Sequence, residues 1–136
     1  MPYKNEIVFK KHHIEQLREC GYFITPVQTR TIVGVPDVYA AHTAHCLWIE
    51  YKHIDSTFST DAVAYRIPFR PGQQRWAAEL RNATRGGCEV LCAVAFRNGV
   101  YGFWMDEPYN SGLVPPKCIK PLVLNRGHID LLRSES

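Results

Sequence analysis

Three ionisable side chains fall close together on segments that read as neighbouring strands: Asp37 in Gly34-Val35-Pro36-Asp37, and Glu50 and Lys52 in Trp48-Ile49-Glu50-Tyr51-Lys52. Side chains on a strand alternate faces, so Glu50 and Lys52 project one way while Ile49 and Tyr51 project the other. Two charges on one face of an otherwise apolar strand are costly to bury unless they are paired or hold an ion. Asp37, at the start of the preceding strand, can lie across a hairpin from them, which brings two carboxylates and an ammonium to one point. Carboxylates that close raise one another's pKa unless a cation separates them. Magnesium suits the position, because it takes oxygen ligands: one or two carboxylates, waters and substrate phosphate oxygens. The chemistry open to such a set is metal-assisted phosphodiester hydrolysis.

The elements that must position these residues follow from periodicity. Between Asn5 and Cys20, Ile7, Ile14 and Leu17 recur at helical spacing among charged residues, and Gly21 stands where a helix stops, which predicts one amphipathic helix. Tyr22 to Thr25, ended by Pro26, is a predicted strand, and Val35 to Ala41 and Cys46 to Lys52 form a predicted hairpin around His42-Thr43-Ala44-His45. The segment from His53 to Phe69 has loop composition at Asp55 to Asp61 and an extended reading at Ala62 to Pro68; long loops inside small domains are often functional. Pro71 is expected to open a second helix, with Trp76, Leu80 and Ala83 as its apolar stripe and Gly86-Gly87 at its end. Val90 to Phe96 reads as a strand covered on both faces, and Asn98-Gly99 as a tight turn leading to Val100 to Trp104.

The order α-β-β-β-α-β-β contains a strand–helix–strand crossover, so the expected fold is α/β, a mixed sheet flanked by helices. Residues 1–104 are expected to form the core. Residues 105–136, rich in proline and poor in periodicity, are expected to be an extension that packs on the core or on a dimer partner.

Composition sets the outer bounds. A chain of 136 residues with 46% apolar side chains is long enough for one buried core and too apolar for global disorder. No apolar run approaches the roughly 20 residues that span a bilayer, and Met1 to Glu6 lacks the pattern of a secretory signal, so the expectation is a cytoplasmic protein with no membrane partner. The five cysteines are odd in number and show no C-x-x-C spacing, and His42, His45 and Cys46 lack a second ligand pair, which argues against a disulfide framework and a zinc finger. The net charge of +3 conceals an uneven distribution: residues 1–61 carry six basic and seven acidic side chains, and residues 62–97 carry six arginines against two glutamates. Arginine's planar fork suits phosphate oxygens.

The ordered set of Gly34-x-Pro36-Asp37, Glu50-Tyr51-Lys52, the Arg70-Pro71-Gly72-Gln73-Gln74-Arg75-Trp76 helix start and the Gly86-Gly87-Cys88-Glu89-Val90 turn resembles the PD-(D/E)xK nuclease superfamily. Within it the chain looks most similar to small phage-type and VRR-NUC-like nucleases and to archaeal-type Holliday-junction resolvases, over roughly Asn5 to Phe96. The resemblance implies a restriction-endonuclease-like fold. It implies that Asp37, Glu50 and the backbone carbonyl of Tyr51 hold Mg2+, with Mn2+ as a substitute and no organic cofactor. Lys52 then orients or deprotonates the attacking water and offsets phosphorane charge, and Gln73 stands at the mouth of the site, with Gln74 as the alternative. Relatives often add an acidic ligand from the first helix, for which Glu6 and Glu15 are both candidates.

The implied function is a Mg2+-dependent DNA endonuclease, structure-selective for branched DNA and homodimeric, because paired cuts need two sites. Arg66, Arg70, Gln74, Arg75, Arg81 and Arg85 are the candidate nucleic-acid contacts, supplying affinity more than base readout. The alternatives are a noncatalytic DNA-binding module on the same fold and a restriction- or repair-type nuclease.

Overall fold

Helix α1 spans Glu6–Glu19, and its start is fixed by Asn5, whose side chain accepts a hydrogen bond from the Val8 N–H at 2.9 Å. The structure, a computed structural model, describes residues 3–27, 34–42, 45–85, 87–105, 112–125 and 128–130. Phe9, His13 and Leu17, four apart, form the buried side of α1 together with Ile14. Ile7, expected in the apolar stripe, is instead 78% exposed, although it shares its side of α1 with Ile14 and lines the same groove. Gly21 takes a φ of +94° and closes the helix with a bond from its N–H to the Arg18 carbonyl.

The chain then runs through β1 (Phe23–Pro26), β2 (Val38–His42), β3 (His45–His53), the short β4 (Tyr65–Arg66), α2 (Gln73–Thr84), β5 (Glu89–Phe96) and β6 (Gly99–Trp104). Six strands make one sheet in the order β1-β2-β3-β5-β6-β8, where β8 is Lys120–Pro121. Only β3 and β5 run parallel, joined through α2 as a crossover requires, and the other pairs are antiparallel. The sheet is therefore mixed, as the element order predicts. Its two faces carry separate cores. Phe9, Leu17, Ile49, Tyr51, Leu91 and Ala93 pack under α1, and Ala77, Val90, Cys92, Val94 and Phe103 pack under α2. Strand β5 is buried along nearly its whole length, consistent with an apolar run covered on both sides.

Helix α2 begins two residues later than Pro71 suggests. Gly72 adopts a φ of +84° and acts as the N-cap, its carbonyl accepting from Trp76 N–H, which leaves Pro71 outside the helix. Its buried face is Gln73 and Ala77, with Trp76 and Leu80 half-buried, while Ala83 is exposed. Arg85, at φ +52°, ends the helix before the glycine pair, of which Gly86 lies outside the described residues.

The described part of the tail lies on the core. β7 (Leu113–Val114) pairs with β4, and β8 extends the sheet beside β6. A 3-10 turn at Pro116–Cys118 joins them, and β9 (Val123–Asn125) pairs with β10 (His128–Asp130). Thr43 and Ala44 of the expected turn, and tail residues 106–111, 126, 127 and 131–136, lie outside the described residues. Among the described residues no helix is long and apolar enough to cross a membrane.

Candidate active site

Strand register assembles the charged cluster. Val38 pairs with Ile49, so Asp37, one residue before β2, comes level with Glu50. The Asp37 carboxylate is anchored there, its Oδ2 accepting from the Tyr51 N–H at 3.0 Å. Gly34 makes this approach possible: at its φ of +88°, a Cβ would lie 2.3 Å from the Gly72 carbonyl oxygen. The turn before β2 and the start of α2 touch backbone to backbone, a contact no side chain permits. That contact carries Asp37 and Gln73 to the same end of the sheet.

Glu50 and Lys52 share the α2 face of β3, while Ile49 and Tyr51 face α1, as alternation requires. Glu50 is 1% exposed and Lys52 4%, and Lys52 Nζ lies 3.2 Å from Glu50 Oε2. Gln73, also buried, hydrogen-bonds Glu50, and its Oε1 accepts from the Arg70 N–H at 2.8 Å. The other Glu50 oxygen, Oε1, is buried with no hydrogen-bond partner. Burial, and then the charge of Asp37, push the Glu50 carboxyl above its ordinary value, against the opposing pull of Lys52 and Gln73. Burial likewise drives up the thiol of Cys92, the neighbour of Glu50 on β5, with Glu50 adding to it.

Two more cations complete the cluster. Arg70 Nη2 lies 3.8 Å from Asp37 Oδ1 and 3.9 Å from Glu50 Oε2, so one guanidinium spans both carboxylates. Lys10 of α1 reaches Asp37 Oδ1 at 3.7 Å. Lys10 was not among the candidates read from the sequence. Its signal lies in the helix phase, since once Phe9, His13 and Leu17 form the buried face, position 10 falls at that face's border. His13 was missed for a similar reason. Its Nδ1 meets the Tyr51 hydroxyl at 2.7 Å beneath the site, and burial holds its imidazole down to about 4.

The remaining candidates divide by position. Arg66, Arg70, Gln74 and Arg75 line one open groove of about 430 Å3 beside the cluster, walled by Phe69 and Pro71. Arg81 and Arg85 stand farther along α2 and do not line it. Glu6 and Glu15 are both exposed. Glu6 precedes Lys10 by one turn and so shares its side of α1, and Glu15 lines a groove with Lys10, Lys11 and Pro26.

The donor set fits a hard divalent cation. Asp37 Oδ1 and Glu50 Oε2 converge closely enough to share one guanidinium, and Glu50 Oε1 is a buried acceptor without a donor. Hard, oxygen-seeking cations such as magnesium are commonly held by one or two carboxylates and keep several waters.

A six-stranded mixed sheet between two helices, with the charged set on its central strand, is a restriction-endonuclease-like fold. Among solved structures the chain is similar to Hjc, a Holliday junction resolvase from the hyperthermophilic archaeon Archaeoglobus fulgidus, with a TM-score of 0.55 and 15% identity over 77% of this chain and 83% of that one. No protein-family model and no curated protein sequence matches the chain.

Proposed function

We propose that the protein is a Mg2+-dependent endonuclease that hydrolyses phosphodiester bonds in branched DNA as a homodimer. The observation that carries this reading is the convergence of Asp37 Oδ1 and Glu50 Oε2 beside the buried ammonium of Lys52. A fold freed from catalysis has no reason to keep two carboxylates together at that depth, where both desolvation and mutual repulsion oppose them. The branched substrate is suggested by the structural likeness to an archaeal resolvase.

In this reading Asp37, Glu50 and the Tyr51 carbonyl hold the cation, with Glu6 as the α1 candidate for a further carboxylate. The cation supplies Lewis-acid activation of water and charge neutralisation at the phosphate. Lys52 stands 3.2 Å from Glu50 and orients the attacking water or donates to the phosphoryl oxygen as negative charge develops. Gln73 fixes the Glu50 carboxylate and, through the Arg70 N–H, the loop ahead of α2. Water attacks phosphorus in line, the P–O3′ bond breaks, and the products are a 5′-phosphate and a 3′-hydroxyl. Arg66, Gln74 and Arg75 in the groove, and Arg81 and Arg85 beyond it, contact phosphates of the flanking strand.

A cleavage panel of supercoiled, linear, flapped and four-way DNA in Mg2+ tests the proposal. Asp37→Asn and Lys52→Ala are expected to lower cutting by at least about a hundredfold, the scale of a lost transition-state donor, while DNA binding persists. Wild-type protein that cuts none of these substrates in Mg2+ or Mn2+ refutes it.

A further inference from the structure

We infer that Arg70 is a displaceable occupant of the cation position, which blocks it when the site is empty of metal and swings onto the substrate strand when metal arrives. The inference rests on the reading of the carboxylate pair as a metal site. The Arg70 guanidinium lies 3.8 Å from Asp37 Oδ1 and 3.9 Å from Glu50 Oε2, between the two carboxylates that would hold the cation. Guanidinium and metal cannot both lie between them. Lys10 and Lys52 differ in kind, since each touches a single carboxylate from one side and need not move.

The backbone of Arg70 is pinned, its N–H bonded to Gln73 Oε1, so displacement is confined to the side chain. That side chain is 68% exposed and lines the groove that also holds Arg66, Gln74 and Arg75. The guanidinium end is exposed and both contacts are long, at 3.8 and 3.9 Å, so they hold it less firmly than a close hydrogen-bonded pair would. A freed guanidinium reaches the groove without any backbone change, and its fork suits a phosphate of the strand lying there. Arg70 thereby links metal occupancy to phosphate binding, and such a linkage is reciprocal.

Calorimetric titration of Mg2+ into the protein without DNA reads the first half of the inference. Arg70→Ala and Arg70→Gln are expected to bind Mg2+ about threefold to tenfold more tightly than wild type, which is what one or two contacts of this exposure convert to. Lys10→Ala removes a neighbouring charge without clearing the position and is expected to gain less. Equal gains for Lys10→Ala and the Arg70 variants mean generic electrostatics and overturn the inference, as does unchanged or weaker binding in the Arg70 variants. If one Arg70 variant does not fold by circular dichroism, the other decides.

Fluorescence anisotropy with labelled four-way DNA, with and without Ca2+, reads the second half. Calcium is expected to tighten DNA binding by wild type more than by Arg70→Gln, and equal tightening overturns the swing. Failure of the underlying reading looks different. No Mg2+ binding by any form removes the metal site and this inference together. Tighter Mg2+ binding by the Arg70 variants in a protein that cuts no DNA leaves the inference standing and refutes the nuclease.

Discussion

Replacing Glu50 by Gln should stabilise the metal-free protein, although it removes a buried ion pair. Glu50 is 1% exposed, faces Asp37, and has one oxygen without a donor. Lys52 and Gln73 favour its charge, but burial and Asp37 outweigh them, so its folded carboxyl titrates above the ordinary value. The sign follows directly. A carboxyl whose folded pKa is raised contributes nothing adverse at pH values below its unfolded pKa, where both states are protonated, and costs stability as pH rises through the folded pKa. Gln, nearly isosteric and neutral, removes that cost while still accepting from Lys52. The gain at neutral pH should be on the order of 0.5–2 kcal/mol, typical of relieving a strained functional residue. For a domain of this size that is about 2–7 °C in Tm. The assay is thermal unfolding of both proteins in EDTA from pH 4 to 8. The curves should meet near pH 4 and separate toward neutrality with the variant more stable. Saturating Mg2+ should then reverse the order, since ligand at a hundredfold over its Kd adds about 2.7 kcal/mol to the wild type alone. A variant that is less stable than wild type in EDTA by a pH-independent margin refutes the reasoning. In that case the pair with Lys52 is a structural bridge.

Other outcomes follow from single contacts. Tyr51→Phe leaves His13 Nδ1 buried without its 2.7 Å partner and should cost about 1–3 kcal/mol in urea unfolding, the desolvation cost of an orphaned buried group. The His13 imidazole, held down to about 4 by burial, should stay neutral in NMR titrations until well below pH 6. Its contribution has the opposite sign to that of Glu50: stability present above the unfolded histidine pKa is lost as pH falls toward 4. The Glu50→Gln comparison isolates one from the other because His13 is common to both proteins. Arg66→Ala and Arg75→Ala, both in the groove, should weaken DNA binding across sequences, each lowering the log–log salt slope by about one.

What could be read from the sequence was whatever depends on period. Alternation along β3 puts Glu50 and Lys52 on one face, and hairpin pairing places Asp37 level with them, because strand register propagates residue by residue. The fold class followed from the same local signals. Lys10 was legible only in part: the helix phase puts position 10 at the border of the buried face, but the packing angle that brings it to Asp37, 27 positions downstream, is tertiary. The start of α2 was misjudged because proline at the first helical position is a local preference, and a tertiary contact overrode it. Gly72 packs backbone to backbone against Gly34 at a φ of +84°, and the helix begins after it, at Gln73. The tail gave no pattern because β7 and β8 are two residues long and join through backbone groups, for which side-chain alternation carries no information. The charge balance shows the same division. Counting along the chain separated an acidic part from an arginine-rich part, but only the fold shows them meeting at one point, where Arg70 and Lys10 compensate the two carboxylates that magnesium is proposed to bridge. The small net charge thus reflects a site that carries its own counterions, and the arginine that neutralises it is the one best placed to hand that role to a metal.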